Sequence, residues 1–272
     1  MAKIEDYYDG IPEIQKDAGT EDVMKISPSS IAKFFTATSQ WYNEEVEGNE
    51  KVFQGSTSTH LGTIVHHCAE VSGNEGDTTT FEKDVEDFLA TIKDPNVDKN
   101  EIRSLWFDMA SALVSDTILD GTQIHSTEKF IFKKLVDNVY VGGTYDALIV
   151  DPANPAGLIV RDYKTASKKP SGITYEYKLQ AYTYAWMLKE AGHPITGIEL
   201  AFVTRPTKTL PVRTFVFREP YTNDNHMFIG SLLSLISESV AKYKSTPELR
   251  YLLAQDYRLK STGPTTAFPT KK

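Results

Sequence analysis

The chain has 272 residues, of which 40% are hydrophobic and 24% charged, and its formal net charge is −8. This composition is typical of a globular protein, and no stretch approaches the roughly 18 consecutive apolar residues of a transmembrane helix. The N-terminal residues carry acids and lack the apolar core of a signal peptide, and the single cysteine, Cys68, excludes an intrachain disulfide. We therefore expect a protein of a reducing, cytoplasmic compartment that does not enter a membrane.

The first part of the chain has helical patterns. Residues 1–25 are polar, acidic and aperiodic, and we expect a flexible arm there. The stretch "SPSSIAKFF" that follows has the Ser and Pro that commonly open a helix. An apolar stripe over residues 56–71 and amphipathic patterns over 80–93 and 98–119 predict three more helices. Residues 26–125 are therefore predicted to be a helical elaboration.

The second part of the chain changes to the two-residue period of strands. Two apolar runs, 128–136 and 139–150, flank a two-residue "DN" turn and predict a β-hairpin. After a turn at "DPANPAG", the remaining predicted elements are a strand in "LIVRDYK", a helix at 174–191, strands in "GIELAFVTR" and "PVRTFVFR", and a helix from about 223 to 243. This order predicts a single α/β domain over 26–260. Its sheet core spans 126–220, its C-terminal helical part spans 221–260, and residues 261–272 form a disordered tail.

The charges are unevenly distributed along the chain. Residues 1–125 contain 9 Lys and Arg against 24 Asp and Glu, whereas residues 126–272 contain 20 against 13. A basic half on an acidic protein is compatible with phosphate binding. Solvated acidic helix faces would produce the same imbalance without a nucleic-acid partner, so the charge alone does not decide between the two.

The stretch "GLIVRDYKTA" (157–166) places charges where a buried strand is predicted to continue. Because side chains alternate between the faces of a strand, we expect Asp162 and Lys164 to share one face and Tyr163 to face the core. On the preceding hairpin, Asp146 interrupts an apolar strand just after a Gly-Gly pair, which permits a bulge or the close approach of another backbone. The pattern predicts that two carboxylates and a lysine from neighbouring strands meet.

Three explanations for this arrangement are open. The first is an Asp–Lys ion pair at a strand end. The second is a two-carboxylate acid–base site of the glycosidase type, which does not need the lysine. The third is a metal site, because two hard oxygen ligands suit Mg²⁺ or Mn²⁺, ions that often meet substrate phosphates. The basic second half of the chain favours the metal site.

Two helices carry further candidate site residues. Gln180 and Tyr184 are four residues apart and therefore share a face of the helix that follows the charged strand. In the helix at 56–71, Gly62, His66 and Glu70 lie on one stripe. A surface glutamine, an interfacial tyrosine and a packing histidine would explain these residues equally well.

The motifs together resemble a known family. "GTIVH" (62–66), "GTYD" (143–146), "DYK" (162–164) and "QAYTY" (180–184) occur in the order and with the spacing of the RecB-type branch of the PD-(D/E)XK nucleases. The opening "ISPSSIAKFF" is similar to the first helix of that branch, and the resemblance covers roughly residues 26–205. It implies an α/β fold with a central mixed sheet flanked by helices, and a metal-dependent nuclease activity.

The resemblance also implies a role for each matching residue. Asp146, Asp162, the carbonyl of Tyr163 and His66 would bind Mg²⁺ or Mn²⁺. Lys164 would position the attacking water, and Gln180 and Tyr184 would hold the substrate near the cleavage site. His67 is the rival of His66, because consecutive helical residues point about 100° apart. Glu128, at the start of the first hairpin strand, would be an outer acid or would pair with Lys129 or Lys164.

Relatives that hold an iron–sulfur cluster use four cysteines, which this chain lacks, so the resemblance is to the cluster-free, phage-type exonucleases. We expect a DNA exonuclease that acts in recombination, repair or replication, with a protein of one of these processes as a possible partner. Its setting would be a bacterial or phage-infected cell or an organellar matrix. Further DNA contacts are expected from the basic residues Lys168, Lys169, Arg205 and Lys208. The alternatives are a structure-specific or single-strand endonuclease of the same fold, and a non-catalytic DNA-binding protein that retains the fold.

Overall fold

A computed structural model of the chain describes residues 10–48, 55–74, 78–246 and 248–249. The α-helices are α1 (Ile11–Ala18), α2 (Ile31–Thr36), α3 (Thr38–Trp41), α4 (Thr57–Gly73), α5 (Phe81–Thr91), α6 (Lys99–Thr117), α7 (Tyr175–Glu190) and α8 (Asn223–Ser245). The strands are β1 (Met24–Ile26), β2 (Ile124–Val136), β3 (Val139–Asp151), β4 (Asn154–Ala166), β5 (Ile195–Thr204) and β6 (Arg213–Pro220). Short helical turns at Pro28–Ser30, Tyr42–Val46 and Thr78–Thr80 complete the described elements.

The strands form one mixed sheet in the order β1-β3-β4-β5-β6, with β2 paired to the second edge of β3. The β2–β3, β3–β4 and β5–β6 pairs are antiparallel, and the β1–β3 and β4–β5 pairs are parallel. Helix α7 is the crossover between the parallel strands β4 and β5, as a parallel connection requires. The mixed α/β architecture with N-terminal helices is therefore confirmed.

Two apolar cores lie on opposite faces of the sheet. On one face α7, α8 and α2 pack over alternate residues of the strands, among them Val160 of β4. On the other face α4, α5 and α6 pack over the intervening residues, among them Ile159 and Tyr163. The two-residue alternation of β4 therefore assigns Asp162 and Lys164 to the α7 face and Tyr163 to the α4 core, as predicted.

The sheet contains a gap along one edge of β3. On this edge β3 pairs with β1 at residues 139–141 and with β4 at residues 147–151, while β2 occupies its other edge. None of the described strands pairs with the residues between, 142–146, on this side. The core pattern also shifts here, because Tyr145 and Leu148, three residues apart, belong to the same core. Side chains from both faces of the sheet can therefore meet in this gap.

Arg161, the first charge of the "RDYK" stretch, has a structural role. The residue is 2% exposed. Its guanidinium donates from Nε to Glu199 Oε1 at 2.5 Å and also donates to the carbonyl of Thr117 at the end of α6. Arg218 of β6 donates to the second oxygen of the same glutamate. A buried charge needs such pairing, so this network ties β4, β5, β6 and α6 together on the side away from Asp162.

Several boundaries differ from the predictions. The prediction of a flexible arm over residues 1–25 is wrong for the described residues from Gly10 onward, because α1 buries Ile14 and β1 joins the sheet. The turn before β4 is shorter than predicted, since β4 already begins at Asn154. The predicted tail at 261–272 lies outside the described residues. Among the helices that are described, none combines the length and continuous hydrophobicity needed to cross a bilayer.

Candidate active site

Asp146 lies at the point where β3 and β4 separate. The last paired residues are Ala147 and Arg161, and beyond them the Asp146 carboxylate takes the place of a backbone acceptor. Its Oδ2 atom accepts a 2.6 Å hydrogen bond from the N–H of Tyr163. Burial raises the pKa of Asp146, while Lys164 and this hydrogen bond oppose the shift. The carboxylate is thus fixed at the gap by the backbone of the neighbouring strand.

Asp162 and Lys164 form an ion pair on the α7 side of this gap. The Lys164 ammonium contacts Asp162 Oδ2, and Gln180 of α7 donates from Nε2 to Asp162 Oδ1 at 3.1 Å. Burial raises the pKa of Asp162, which is 3% exposed. Burial alone would lower the pKa of Lys164, but the carboxylates of Asp162 and Asp146 outweigh it and raise that pKa. Asp146, Asp162 and Lys164 are therefore close enough to influence one another's ionisation.

Tyr184 reaches the gap from the same helix, one turn after Gln180. It is 6% exposed, and burial together with the charges of Asp146 and Asp162 raises the pKa of its phenol well above the ordinary value. A β-carbon on Gly143 would lie 2.7 Å from the Tyr184 hydroxyl and 3.1 Å from Cδ of Pro28. The glycine of the "GTYD" motif therefore makes room for Tyr184 within the gap.

We expect Gly143→Ala to destabilise the fold by about 1–3 kcal/mol, because the added methyl group overpacks a filled site. Part of this loss should be recovered in Gly143→Ala/Tyr184→Phe, which removes the clashing hydroxyl. Urea unfolding of the two variants and of the Tyr184→Phe single variant measures both effects. Gly172→Ala is the control, since a β-carbon there meets nothing within 4 Å. Equal losses at Gly143 and Gly172 would contradict the steric explanation.

Helix α4 brings His66 to the acids from the opposite face of the sheet. Gly62 allows close packing against β4, since a β-carbon there would lie 3.0 Å from Thr165 Oγ1. One turn later, His66 Nδ1 lies 3.6 Å from Asp146 Oδ2, and its ring has a hydrogen bond with the backbone of Tyr163. Burial, followed by the charge of Lys164, lowers the pKa of His66 to about 4. The imidazole is therefore neutral at physiological pH and has a lone pair available.

His67 faces away from the acid pair. Its side chain is 6% exposed and lies between Glu70, 3.8 Å from Nδ1, and Asp84 of α5, 3.9 Å from Nε2. Burial lowers the pKa of His67, and Asp84 opposes this shift. Of the two histidines, the structure thus brings His66 to Asp146 and packs His67 beneath α5.

Two more carboxylates surround Asp146. Glu128 lies within β2 rather than at its start, between residues that pair with Ala147 and Tyr145, and so stands across from Asp146. Its φ of 45° is unusual for a residue other than glycine. Burial, followed by the charges of Asp146, Glu70 and Asp162, raises the pKa of Glu128 to about 9. Neither predicted lysine partner forms an ion pair with it among the described residues.

Glu70 shares the α4 stripe of Gly62 and His66, but it has no role in the predicted site. It lies one turn after His66 on α4, and burial, followed by the charge of Asp146, raises its pKa. The helical spacing of four residues from His66 was the available signal. A second such residue is Tyr177, whose ring centroid is 5.2 Å from the Lys164 ammonium. No motif marked this aromatic contact.

The donor types fit a hard divalent cation. Two buried carboxylates with raised pKa values and a neutral imidazole meet in one gap, and oxygen ligands with one nitrogen suit Mg²⁺ or Mn²⁺. Within the described part of the chain, however, no three His, Cys, Asp or Glu side chains are already clustered as a metal site. Lys164 and Gln180 instead contact the two oxygens of Asp162.

Three of the four predicted DNA contacts lie together at the end of β4 and β5. Lys168, Lys169 and Arg205 line one cleft of about 550 Å³ beside Lys164. Lys208 is exposed in the loop after β5 and is not among the residues that line this cleft. Arg205 is already engaged, since it donates to Glu101 and to Ser58.

Comparison with known proteins gives a family and a fold. The model of the PD-(D/E)XK nuclease superfamily matches residues 25–258. Among solved structures, a candidate exonuclease from Eubacterium rectale has a TM-score of 0.52 at 10% identity, over 90% of this chain and 87% of that chain. An alkaline exonuclease from Laribacter hongkongensis has a TM-score of 0.42 at 12% identity, over 86% of this chain and 97% of that chain. A phage-related exonuclease from Haemophilus somnus 129PT has a TM-score of 0.32 at 14% identity, over 80% of this chain and 97% of that chain. No curated protein matches.

Proposed function

The chain belongs to the PD-(D/E)XK nuclease superfamily, and on that premise we propose that it is a DNA exonuclease that requires Mg²⁺ or Mn²⁺. The observation that supports this most strongly is the convergence of Asp146, Asp162 and Lys164 at the gap between β3 and β4. An isolated Asp–Lys pair would need neither the second carboxylate nor the histidine. A glycosidase pair would not need the lysine.

In the proposed site, Asp146, Asp162, His66 and the carbonyl of Tyr163 hold the cation. When bound, such a cation would supply a polarised water and would stabilise charge on the phosphate. The other side chains then have separate tasks. The Lys164 ammonium offsets phosphate charge and orients water, while Gln180 holds the Asp162 carboxylate through its 3.1 Å hydrogen bond. Tyr184 closes the site on the α7 side.

Glu70 and Glu128 are proposed to be neighbours of Asp146 that do not contact the substrate. The charge of Asp146 raises the pKa of both glutamates, and the charge of Glu70 also raises the pKa of Glu128. Among the described side chains of the gap, Lys164 is the cation that faces these carboxylates. A bound divalent cation would further offset the local excess of acidic groups. His67 would serve as packing support between α4 and α5.

Metal removal is the direct test of the proposed chemistry. We expect excess EDTA to abolish cleavage of linear DNA, and added Mg²⁺ or Mn²⁺ to restore it, because the proposed site relies on a bound cation to polarise the water and to offset phosphate charge. The substrate is DNA labelled at either end, and the measurement is release of labelled nucleotides. Cleavage that persists in excess chelator would overturn the metal-dependent mechanism, whereas DNA binding without cleavage at any metal concentration would favour the non-catalytic alternative.

The choice between exonuclease and endonuclease depends on the need for an end. We expect linear strands to be degraded and a covalently closed circle to survive under the same conditions. Conversion of the circle to nicked or linear forms would instead support an endonuclease of the same fold. A role in recombination, repair or replication, a protein partner from these processes and a cytoplasmic location belong to the same proposal.

A further inference from the structure

A cleft of about 550 Å³ lies at the carboxyl ends of the parallel strands β4 and β5, and we call it the β4–β5 end cleft. It is lined by Ser58, residues 165–172, Thr174, Tyr177, Phe202 and Arg205. These residues come from the start of α4, the loop between β4 and α7, the first turn of α7, and β5 with the loop after it. In open α/β sheets, ligands commonly bind at the carboxyl ends of parallel strands.

The lining of the β4–β5 end cleft is positively charged. It contains Lys168, Lys169 and Arg205 and no Asp or Glu, although the whole chain carries a net charge of −8. The lining also includes five residues with hydroxyl groups on their side chains: Ser58, Thr165, Ser167, Ser171 and Thr174. Ammonium and hydroxyl donors without competing carboxylates are the groups that hold a phosphate oxygen in nucleic-acid complexes.

The two lysines are available to a ligand, whereas the arginine is not. Among the described residues, neither Lys168 nor Lys169 forms an ion pair, and both side chains are exposed. The ammonium of Lys169 lies 5.3 Å from the ring centroid of Phe215, so this side chain is held over β6. Arg205 donates to Glu101 and Ser58 and thus fixes the far wall.

The cleft adjoins the candidate active site directly. Tyr177 forms a wall of the cleft on one side, and its ring lies 5.2 Å from the Lys164 ammonium on the other. Phe202, at the base of the cleft, pairs in register with Lys164 across β4 and β5. Because each residue of a strand adds about 3.3 Å, Ser167, just after the end of β4, lies about 10 Å along the chain from Lys164. A ligand that extends past the active site toward β6 would therefore enter the cleft.

A second cleft lacks this combination of groups. The cleft at Pro95–Lys99, Asn100 and Arg103 has a similar volume of about 530 Å³. It contains Asp98 beside its cations, and Arg103 is paired with Glu86. Residues of the candidate active site do not line it. It therefore supplies a matched surface for comparison.

We propose that the β4–β5 end cleft binds a backbone phosphate adjacent to the scissile phosphate of a nucleic-acid strand, through Lys168, Lys169 and the loop hydroxyls. This inference rests on the proposed nuclease function and adds to it the path of the strand over the protein surface. The strand crosses the active site at the gap and continues over Tyr177 toward β6. The cleft then contributes to substrate affinity rather than to the chemical step.

The test combines a protein variant with a modified strand. Lys168→Gln/Lys169→Gln removes two charges from the β4–β5 end cleft. As the control, Lys93→Gln/Lys99→Gln removes two charges at or near the second cleft. Binding of single-stranded DNA oligonucleotides is measured by fluorescence anisotropy in EDTA, so that no cleavage is needed. In a matched series, each phosphate in turn is replaced by a neutral methylphosphonate.

The cleft variant should bind unmodified DNA about tenfold more weakly, because a contact with the DNA backbone is lost. For the same reason, the slope of log affinity against log salt concentration should become shallower by roughly the amount of one phosphate contact. At one phosphate position, methylphosphonate should weaken wild-type and control binding but not binding by the cleft variant.

In cleavage assays with Mg²⁺, the KM of the cleft variant should rise while its kcat changes little. The phosphate position identified by methylphosphonate should adjoin the mapped cleavage site. Additive losses at every position, or equal effects in both variants, would overturn the cleft assignment. Failure of wild-type protein to cleave would instead overturn the nuclease proposal and leave the binding result interpretable.

Discussion

Replacing Asp162 with asparagine is expected to lower the rate of DNA cleavage by roughly 1,000-fold, the scale of losing one preorganised charge at a reacting centre. Asparagine preserves the shape of a side chain that is only 3% exposed, and its amide oxygen can still accept the bond from Gln180. The change therefore removes the charge with little loss of packing. Single-turnover cleavage measures the rate, and calorimetric titration with Mg²⁺ should show weaker metal binding.

The appropriate control for this variant is Asp116→Asn, which neutralises an exposed acid on α6. Asparagine at 162 also leaves Lys164 without its carboxylate partner, so a modest loss of stability is expected. Urea unfolding identifies the conditions in which both proteins stay folded, and the rates are compared there. Wild-type cleavage by folded Asp162→Asn would remove Asp162 from the proposed mechanism, whereas a loss of the same size in Asp116→Asn would mean that the effect is not local.

The parts of the site that follow from local periodicity could be predicted. Alternation along one strand places Asp162 and Lys164 on the same face, and a four-residue helical spacing places Gln180 and Tyr184 on the same face. Both patterns depend only on neighbours in sequence. The order of helices and strands also follows from local patterns, and here the long, strongly periodic elements were right within a few residues.

Features set by tertiary pairing could not be predicted in the same way. Strand β1 has three residues, which is too few for a periodic pattern, yet its pairing with β3 closes one end of the gap. The shift in the faces of β3 near Asp146 occurs because β4 separates from β3, which the sequence of β3 does not encode. His66 and His67 sit on adjacent faces of α4, and only the packing of α5 over His67 distinguishes them.

Glu128 shows most clearly what could not be predicted from the sequence alone. Its type and position in an apolar strand marked it as unusual, but its φ of 45° and its place across from Asp146 arise from the β2–β3 register. Strained backbone of this kind tends to occur at functional sites because the surrounding structure imposes it. A sequence reading could name the residue but could not distinguish a partner of Lys164 from a neighbour of Asp146.

Lys164→Met is expected to separate catalysis from metal binding. Methionine resembles the lysine stem in length and lacks its charge, so cleavage should fall by about 100-fold or more through lost stabilisation of phosphate charge. Mg²⁺ affinity should stay the same or increase, because the ammonium that contacts Asp162 Oδ2 no longer competes for this carboxylate.

Single-turnover rates and calorimetric titration with Mg²⁺ measure the two effects of Lys164→Met, and Lys129→Met on the exposed side of β2 is the control. The contrast with Asp162→Asn is decisive, since that variant should lose both metal affinity and rate. If Lys164→Met lost metal affinity as strongly, Lys164 would be a support that holds Asp162 in place. If it retained wild-type cleavage, the ion pair would be structural, and the convergence of charges at the gap would no longer support hydrolysis.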